Sequence, residues 1–350
     1  MHLSRLSQVI ELSDLRPLFS LLISEPKLPA ALTTCELQTS GETPTPALEL
    51  VPLAEALVTR GTGPVVRIGL HGFDELVFSL WAHLWPEIRA QFAFRLSFGP
   101  QDIVDTLKPS LICTPTPLAS RWTRHRIVGT TNSATSLASG IICGEAEAAP
   151  ILAFAQQIGA IIRHFTDLPL LQHAYEIDSN PKARFEECVS VLRILERLSP
   201  NPIRGITSKT LLIHRLESRL LDASVQEILL LRNLSTTGLS EAPRIWASLK
   251  AWASVNPFTQ HEDLDMLSAL GDALSPSAAV EPWRLAVLNG ILSASSALSE
   301  GFANAFWRWA DLRPAVLTAL MNQQPQEGGL ENRLTGAVPH AVSFDTGKGH

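Results

Sequence analysis

A chain of 350 residues exceeds what one hydrophobic core usually supports, so two domains are the default expectation. Its 45% hydrophobic and 18% charged residues match an ordinary folded protein and exclude disorder throughout. The formal net charge of −6 weighs against a dedicated binder of nucleic acid or anionic membrane, although one basic face can sit on an acidic protein.

The opening stretch MHLSRLSQVIELSDL places Arg5, Glu11 and Asp14 where a signal peptide needs an apolar core, so it reads as an amphipathic helix. No run reaches the ~20 apolar residues that a membrane span requires. Cys35, Cys113, Cys143 and Cys188 are scattered without a C-x-x-C pair and read as reduced thiols, which places the chain in the cytoplasm and off the membrane.

Along the first part the hydrophobic period keeps changing. Helical spacing over Leu6 to Ile23 gives way to a short strand-like run over Leu32 to Leu37 and a loop, GETPTP, at 41–46. PVVRIGL, Pro64 to Leu70, reads as a strand bounded by glycines, and Phe73 to Trp85 as a helix. The clearest strand expectation is Phe92 to Phe98, where Phe92, Phe94, Leu96 and Phe98 alternate with smaller or polar residues until Gly99-Pro100 ends the run. Leu111 to Cys113 and Ile127 to Val128 are two further short strands. Residues 129–150 are small, polar and glycine-containing, and mark the expected domain boundary.

Beyond it nearly everything reads as helix: Ile151 to Phe165, Phe185 to Leu198, Leu211 to Leu221, Val225 to Leu234, Ile245 to Val255, Leu264 to Leu274, Trp283 to Leu298 and Phe302 to Leu320. Prolines and glycines fall between these runs, where helix ends belong. No repeat consensus emerges, so a helical repeat rests on helix number alone. The expectation is an α+β or α/β N-terminal part over 1–140, then an all-α bundle or short solenoid over 141–322, mainly α overall. A Gln-, Gly- and Pro-rich tail covers 323–350, with a short helix at Leu330 to Leu334.

Candidate chemistry is incomplete at every point. Ile68-Gly69-Leu70-His71-Gly72-Phe73 looks like the strand-to-loop segment that helps form an oxyanion hole in α/β-hydrolases, but no G-x-S-x-G nucleophile turn accompanies it. His261-Glu262-Asp263-Leu264-Asp265 has aspartate where a zinc H-E-x-x-H site needs its second histidine. Gly61-Thr62-Gly63-Pro64 and Gly347-Lys348-Gly349-His350 lack the rest of a phosphate loop. Neither cofactor nor metal is expected. His71, Asp74, Arg95 and Asp102 flank expected strand ends, so an enzyme whose residues meet only in the fold remains an alternative near His71.

Arg121-Trp122-Thr123-Arg124-His125-Arg126 puts three guanidinium groups around one indole, a set able to hold phosphate or to stack on an unpaired base. The competing reading is a core tryptophan flanked by arginines that reach solvent. Residues 181–220 carry eight Lys/Arg, among them Arg193, Arg197, Arg215 and Arg219, against four glutamates. On amphipathic helices such a bias is usually a solvated face; the alternative is a surface that meets an acidic partner or phosphate. Phe302, Phe306 and Trp309 form a core stripe, which leaves Trp307 to anchor a partner.

Three segments together resemble a family. They are Leu84-Trp85-Pro86-Glu87-Ile88-Arg89 followed by Phe92 to Pro100; PTPLASRW, Pro115 to Trp122; and Phe302 to Trp309 with Leu330 to Leu334. The first looks like the N-terminal region of bacterial GTPase-associated proteins from conflict (defence) operons, although that family's glycine-rich opening is missing. The resemblance implies a non-enzymatic adaptor or regulatory subunit of a multi-protein antiviral system, with another protein subunit encoded nearby as its partner. The shared pattern is a sheet-core signature, so it carries over no functional residue. The alternative from the residues themselves is a nucleic-acid-binding accessory protein using Arg121, Arg124 and Arg126 or the face from Arg193 to Arg219.

Overall fold

The computed structural model describes residues 6–20, 49–61, 63–103, 108–129, 135–255, 273–274 and 277–296. The expected strand at 32–37, Cys35, the loop at 41–46, the acidic stretch 261–265, the helix carrying Trp307 and the tail 323–350 lie outside the described residues. The chain divides into two compact units, Met1–Glu176 and Ile177–His350.

The first unit is built on a four-stranded, all-parallel sheet of order β2-β3-β1-β4. Its strands are β1 (Val65–Ile68), β2 (Phe94–Leu96), β3 (Leu111–Thr114) and β4 (Arg126–Ile127). Val65 pairs with Leu111 and Arg126, and Leu111 in turn with Phe94. The helices are α1 (Leu6–Ile10), α2 (Arg16–Ser20), α3 (Leu50–Val58), α4 (Phe73–Ala82), α5 (Pro86–Arg89), α6 (Leu137–Cys143), α7 (Ala149–Ile158) and α8 (Leu168–Asp178), whose last two residues belong to the second unit. Strand alternation sends Val66 and Ile112 to one face, where buried Trp122 covers them and Ile103 packs alongside. Val65, Leu111 and Cys113 point to the other face, and α3 lies beside β1 and packs on α6.

The run expected to form the clearest strand is here a three-residue sheet edge. Phe92 is buried among Trp81, Phe94 and Phe165, but Leu96 and Phe98 are 56% and 62% exposed. Alternation of apolar residues therefore signals extended backbone without telling a central strand from an edge one. The expected boundary near residue 140 falls inside the first unit, because the small-residue stretch contains α6. Ser136 caps α6 by accepting from the N–H of Ser139, and Ala138, Ile141 and Ile142 are buried.

Glu55 of α3 ties that helix to the start of α6, accepting from the N–H and hydroxyl of Ser136 at 3.1 and 2.9 Å. Burial pushes its carboxyl up, yet hydrogen bonds from Ser139 and Ser136 outweigh this and hold it below the ordinary 4.5. A depressed folded-state pKa contributes stability above the unfolded value and loses it as pH falls through the folded one. Glu55→Gln is therefore expected to flatten the loss of stability below about pH 4.5, measured by denaturant titration at a series of pH values. An unchanged acid limb would show that other carboxylates dominate it.

In the second unit α9 (Phe185–Leu198), α10 (Ile206–Leu220), α11 (Val225–Leu230), α12 (Ala242–Val255) and α13 (Glu281–Ser296) follow one another. Phe185, Cys188, Val189, Leu192 and Leu195 repeat at helical spacing and form the buried face of α9. α9 packs on α10, α10 on α12, and α12 on α13. Among the described residues the chain is thus mainly helical, with its sheet confined to the first unit, as the sequence predicts.

α12 and α13 approach most closely at Gly290. A Cβ there would lie 2.5 Å from the Lys250 carbonyl oxygen and 2.5 Å from the Ala253 Cβ. Gly290→Ala is expected to cost about 1–3 kcal/mol despite the better helix propensity of alanine, because the helices must part. Thermal denaturation reads the effect, and a stabilised variant would mean that the helices separate freely.

Loops of the second unit are fastened by Lys209, which is 2% exposed. Its Nζ donates to the carbonyl oxygens of Ser199, Asn201 and Gly238 at 2.6, 2.8 and 3.0 Å. Nearby, the Glu196 carboxylate accepts from the hydroxyls of Ser235 and Thr237 and from the Gly238 N–H.

No single helix among the described residues is long and apolar enough to cross a membrane. α6 and the stretch Ala146–Ile158 reach that length only together and bend by 117° between them, with Ile141, Ile142, Ile151, Phe154 and Ile158 buried in the unit.

Candidate functional site

In a parallel sheet of this order the connection from β1 leads one way and that from β3 the other, so a crevice is expected between their carboxyl ends. That position holds Gly69, whose φ of 97° suits glycine. Its N–H donates to the Thr114 carbonyl at 2.8 Å, and its own carbonyl accepts from the Cys113 thiol and the Arg67 guanidinium. Arg67 also donates to the His71 carbonyl at 2.6 Å and to Glu49 at 2.7 Å. Burial alone would lower its pKa, but the Glu49 carboxylate outweighs that and keeps the guanidinium charged. The sequence signal for this clamp is a single arginine inside the apolar run PVVRIGL, and it was read only as part of a strand.

The constellation proposed around His71 is dispersed over this edge. His71 is exposed, and Asp74 lies in the first turn of α4. Asp102 uses its carboxylate on its own loop, accepting from the N–H groups of Phe98 and Gly99 and from the Ser97 hydroxyl. Those bonds hold its carboxyl below the ordinary range, and Arg95 donates to its carbonyl. His71 follows β1 and Asp102 follows β2, and β3 lies between those two strands.

Nor do the three arginines of Arg121 to Arg126 gather around the indole. Trp122 is fully buried, donating to the Thr114 hydroxyl at 3.2 Å, so its ring is not open to a base. The edge-on neighbour of that ring is His125, at 5.0 Å between centroids. Arg121 turns to the Phe98 carbonyl, Arg124 is exposed, and Arg126 reaches the amino edge of the sheet. In the second unit Arg193 and Arg197 are exposed on α9; Arg193 donates to the Leu230 carbonyl. On α10, Arg215 pairs with Asp178, while Arg219 lies half-buried.

Arg126 leads to a site that the sequence did not reveal. A cavity of about 330 Å³ opens at the amino ends of the strands, lined by Leu57, Ile88, Phe92 and Phe165 and by Lys108, Arg126, Arg163 and His164. The guanidinium of Arg126 donates to the carbonyls of Ala56 and Thr59 at 2.5 Å and of Gly63 at 3.0 Å. Burial pushes its pKa down, and no carboxylate among the described residues pairs with it. The nearby Asp167 is turned to its own loop, accepting from the N–H groups of Arg163 and His164 at 3.2 and 3.0 Å. Lys108 comes from one connection and the adjacent Arg163 and His164 from another, so no contiguous motif marked them.

A second concavity, of about 530 Å³, lies between α10 and α12. Glu217 organises one end of it: it faces His214 Nδ1 and accepts from Arg244 at 3.2 Å, with the Ser248 hydroxyl at 3.4 Å. Leu221, Ala247 and Ala251 give the other end an apolar, exposed floor.

Among the described residues no group of three or more histidine, cysteine or acidic side chains is placed to hold a metal ion. Cys113, Cys143 and Cys188 are free, and burial raises the pKa of all three. Cys143, further opposed by Glu145 and Glu55, is pushed up to about 12, so its thiolate is absent at neutral pH. Comparison with known protein families, with characterised proteins and with solved structures finds no match to this chain.

Proposed function

We propose that the chain is a non-enzymatic adaptor or regulatory subunit of a multi-protein bacterial system of the antiviral defence kind, acting in the cytoplasm. The observation that carries this reading is the groove between α10 and α12. It pairs an exposed apolar floor at Leu221, Ala247 and Ala251 with a fixed ionic end at Glu217 and Arg244. An amphipathic helix docks in such a groove by laying its apolar stripe on the floor, while the ionic end sets its register. Three thiols kept as free cysteines accord with a reducing compartment.

The test is affinity purification of the chain expressed with its neighbouring genes, beside the Ala247→Arg variant. Ala247 is exposed, so the substitution fills the groove without disturbing a core. A stoichiometric protein partner that the variant loses supports the reading. A partner retained in full places the interface elsewhere, and absence of any partner overturns the adaptor. Nucleic acid alone in the eluate would favour the alternative through Arg121, Arg124 and the arginines of α9 and α10.

A further inference from the structure

The cavity at the amino ends of the strands has two features that point to one ligand chemistry. Lys108, Arg126, Arg163 and His164 line it, and no lining residue among those described is acidic. Leu57, Ile88 and Phe92 are at most 8% exposed and close its floor, and Phe165 meets Phe92 edge-on at 5.9 Å between ring centroids. The neighbouring acid, Asp167, accepts from backbone N–H groups of its own loop, so the side-chain cations of the rim favour an anion, and several together favour a multivalent one. The apolar floor adds a place for an uncharged, flat body. We infer that this cavity binds a small organic phosphate, with the phosphate at the basic rim and the body against Phe92 and Phe165. Its volume is of the size that holds such a ligand.

The two kinds of residue have separable roles. Arg126 is fixed by the carbonyls of Ala56, Thr59 and Gly63, so it supplies a charge that does not need to move. Lys108 and Arg163 are exposed and free to close on the ligand. Because Arg126 also holds α3 to the strand beside it, its removal would confound binding with stability. The rim residues do not carry that burden.

The test is calorimetric titration of the full chain with phenyl phosphate, adenosine monophosphate, inorganic phosphate and phenol, beside the Lys108→Ala/Arg163→Ala double variant. Phenyl phosphate or adenosine monophosphate is expected to bind with Kd below about 1 mM, and phosphate or phenol at least tenfold more weakly. The double variant is expected to keep its Tm and lose at least tenfold in affinity, whereas Arg232→Ala, an exposed arginine of the other unit, changes nothing. A short 5′-phosphorylated oligonucleotide separates the sources of the phosphate. Binding as tight as the monophosphate assigns it to a strand end, and weaker binding to a free small molecule. No saturable binding of any phosphate probe below about 10 mM overturns the inference, as does undiminished binding by the double variant.

Discussion

Lys209→Met is expected to destabilise the second unit by about 3–5 kcal/mol, one of the two largest effects of any single substitution proposed for the chain. The methionine fills much of the same volume, so the loss would not come from a cavity. It would come chiefly from the carbonyls of the buried Ser199 and Gly238, with that of the exposed Asn201 adding less, each deprived of its donor. An ammonium has three protons, and all three are used here. Lys209→Arg is expected to fall between the two, since a planar fork cannot aim at three oxygens arranged around a point. Urea denaturation of the three proteins measures the series. A loss below about 1 kcal/mol for Lys209→Met would mean that water replaces the ammonium at all three carbonyls.

Trp122→Ala is expected to cost a similar amount, about 3–5 kcal/mol, because it empties one whole face of the sheet. Val66 and Ile112 have that indole as their cover. Trp122→Phe separates the contributions: it retains most of the apolar area but drops the hydrogen bond to Thr114, for a loss of about 1–2 kcal/mol. The same variant discriminates between a core residue and a base-stacking one. If the indole served as a platform for nucleic acid, the phenylalanine protein would stay folded and bind single strands measurably less well. A buried indole predicts the reverse, a lower Tm with binding unaltered.

Much of the architecture was legible from periodicity. The Phe185–Leu198 helix was read to the residue, since its apolar positions recur at three and four and arginines and glutamates fill the rest. The short strands at 65–68 and 111–114 showed themselves as β-branched runs between prolines and glycines. α6 was missed because Ala138, Ser139 and Gly140 stand in its middle, and small residues look alike in a linker and in a close-packed helix. α8 was missed as well, although Leu168, Leu171, Ala174 and Ile177 keep its buried face at regular three-residue spacing.

The candidate sites were harder to see, for a physical reason. Arg126 was singled out for its neighbours in sequence, Arg121 and Trp122, yet its neighbours in space are Lys108, Arg163 and His164. A parallel sheet gathers its connections at two edges, so residues far apart in the chain share a cavity and no local pattern announces them. In the same way Glu217 and Arg244 meet across two helices with a third between them in sequence.

The buried cations share a habit with a wider consequence. Arg89 donates to the carbonyls of Trp81, Ile10 and Ala82, and Lys209 to three others, with no carboxylate among the described residues paired with either. Both charges are buried, as are the carboxylates of Asp14 and Asp167, and all of them count toward the formal −6. Burial removes no charge from the net, so the field that solvent meets at a distance is still that of the formal −6. Such a field draws cationic molecules toward the surface at large and holds anions off. An anion gains a foothold only where local cations overcome it, which the rim of the amino-edge cavity provides.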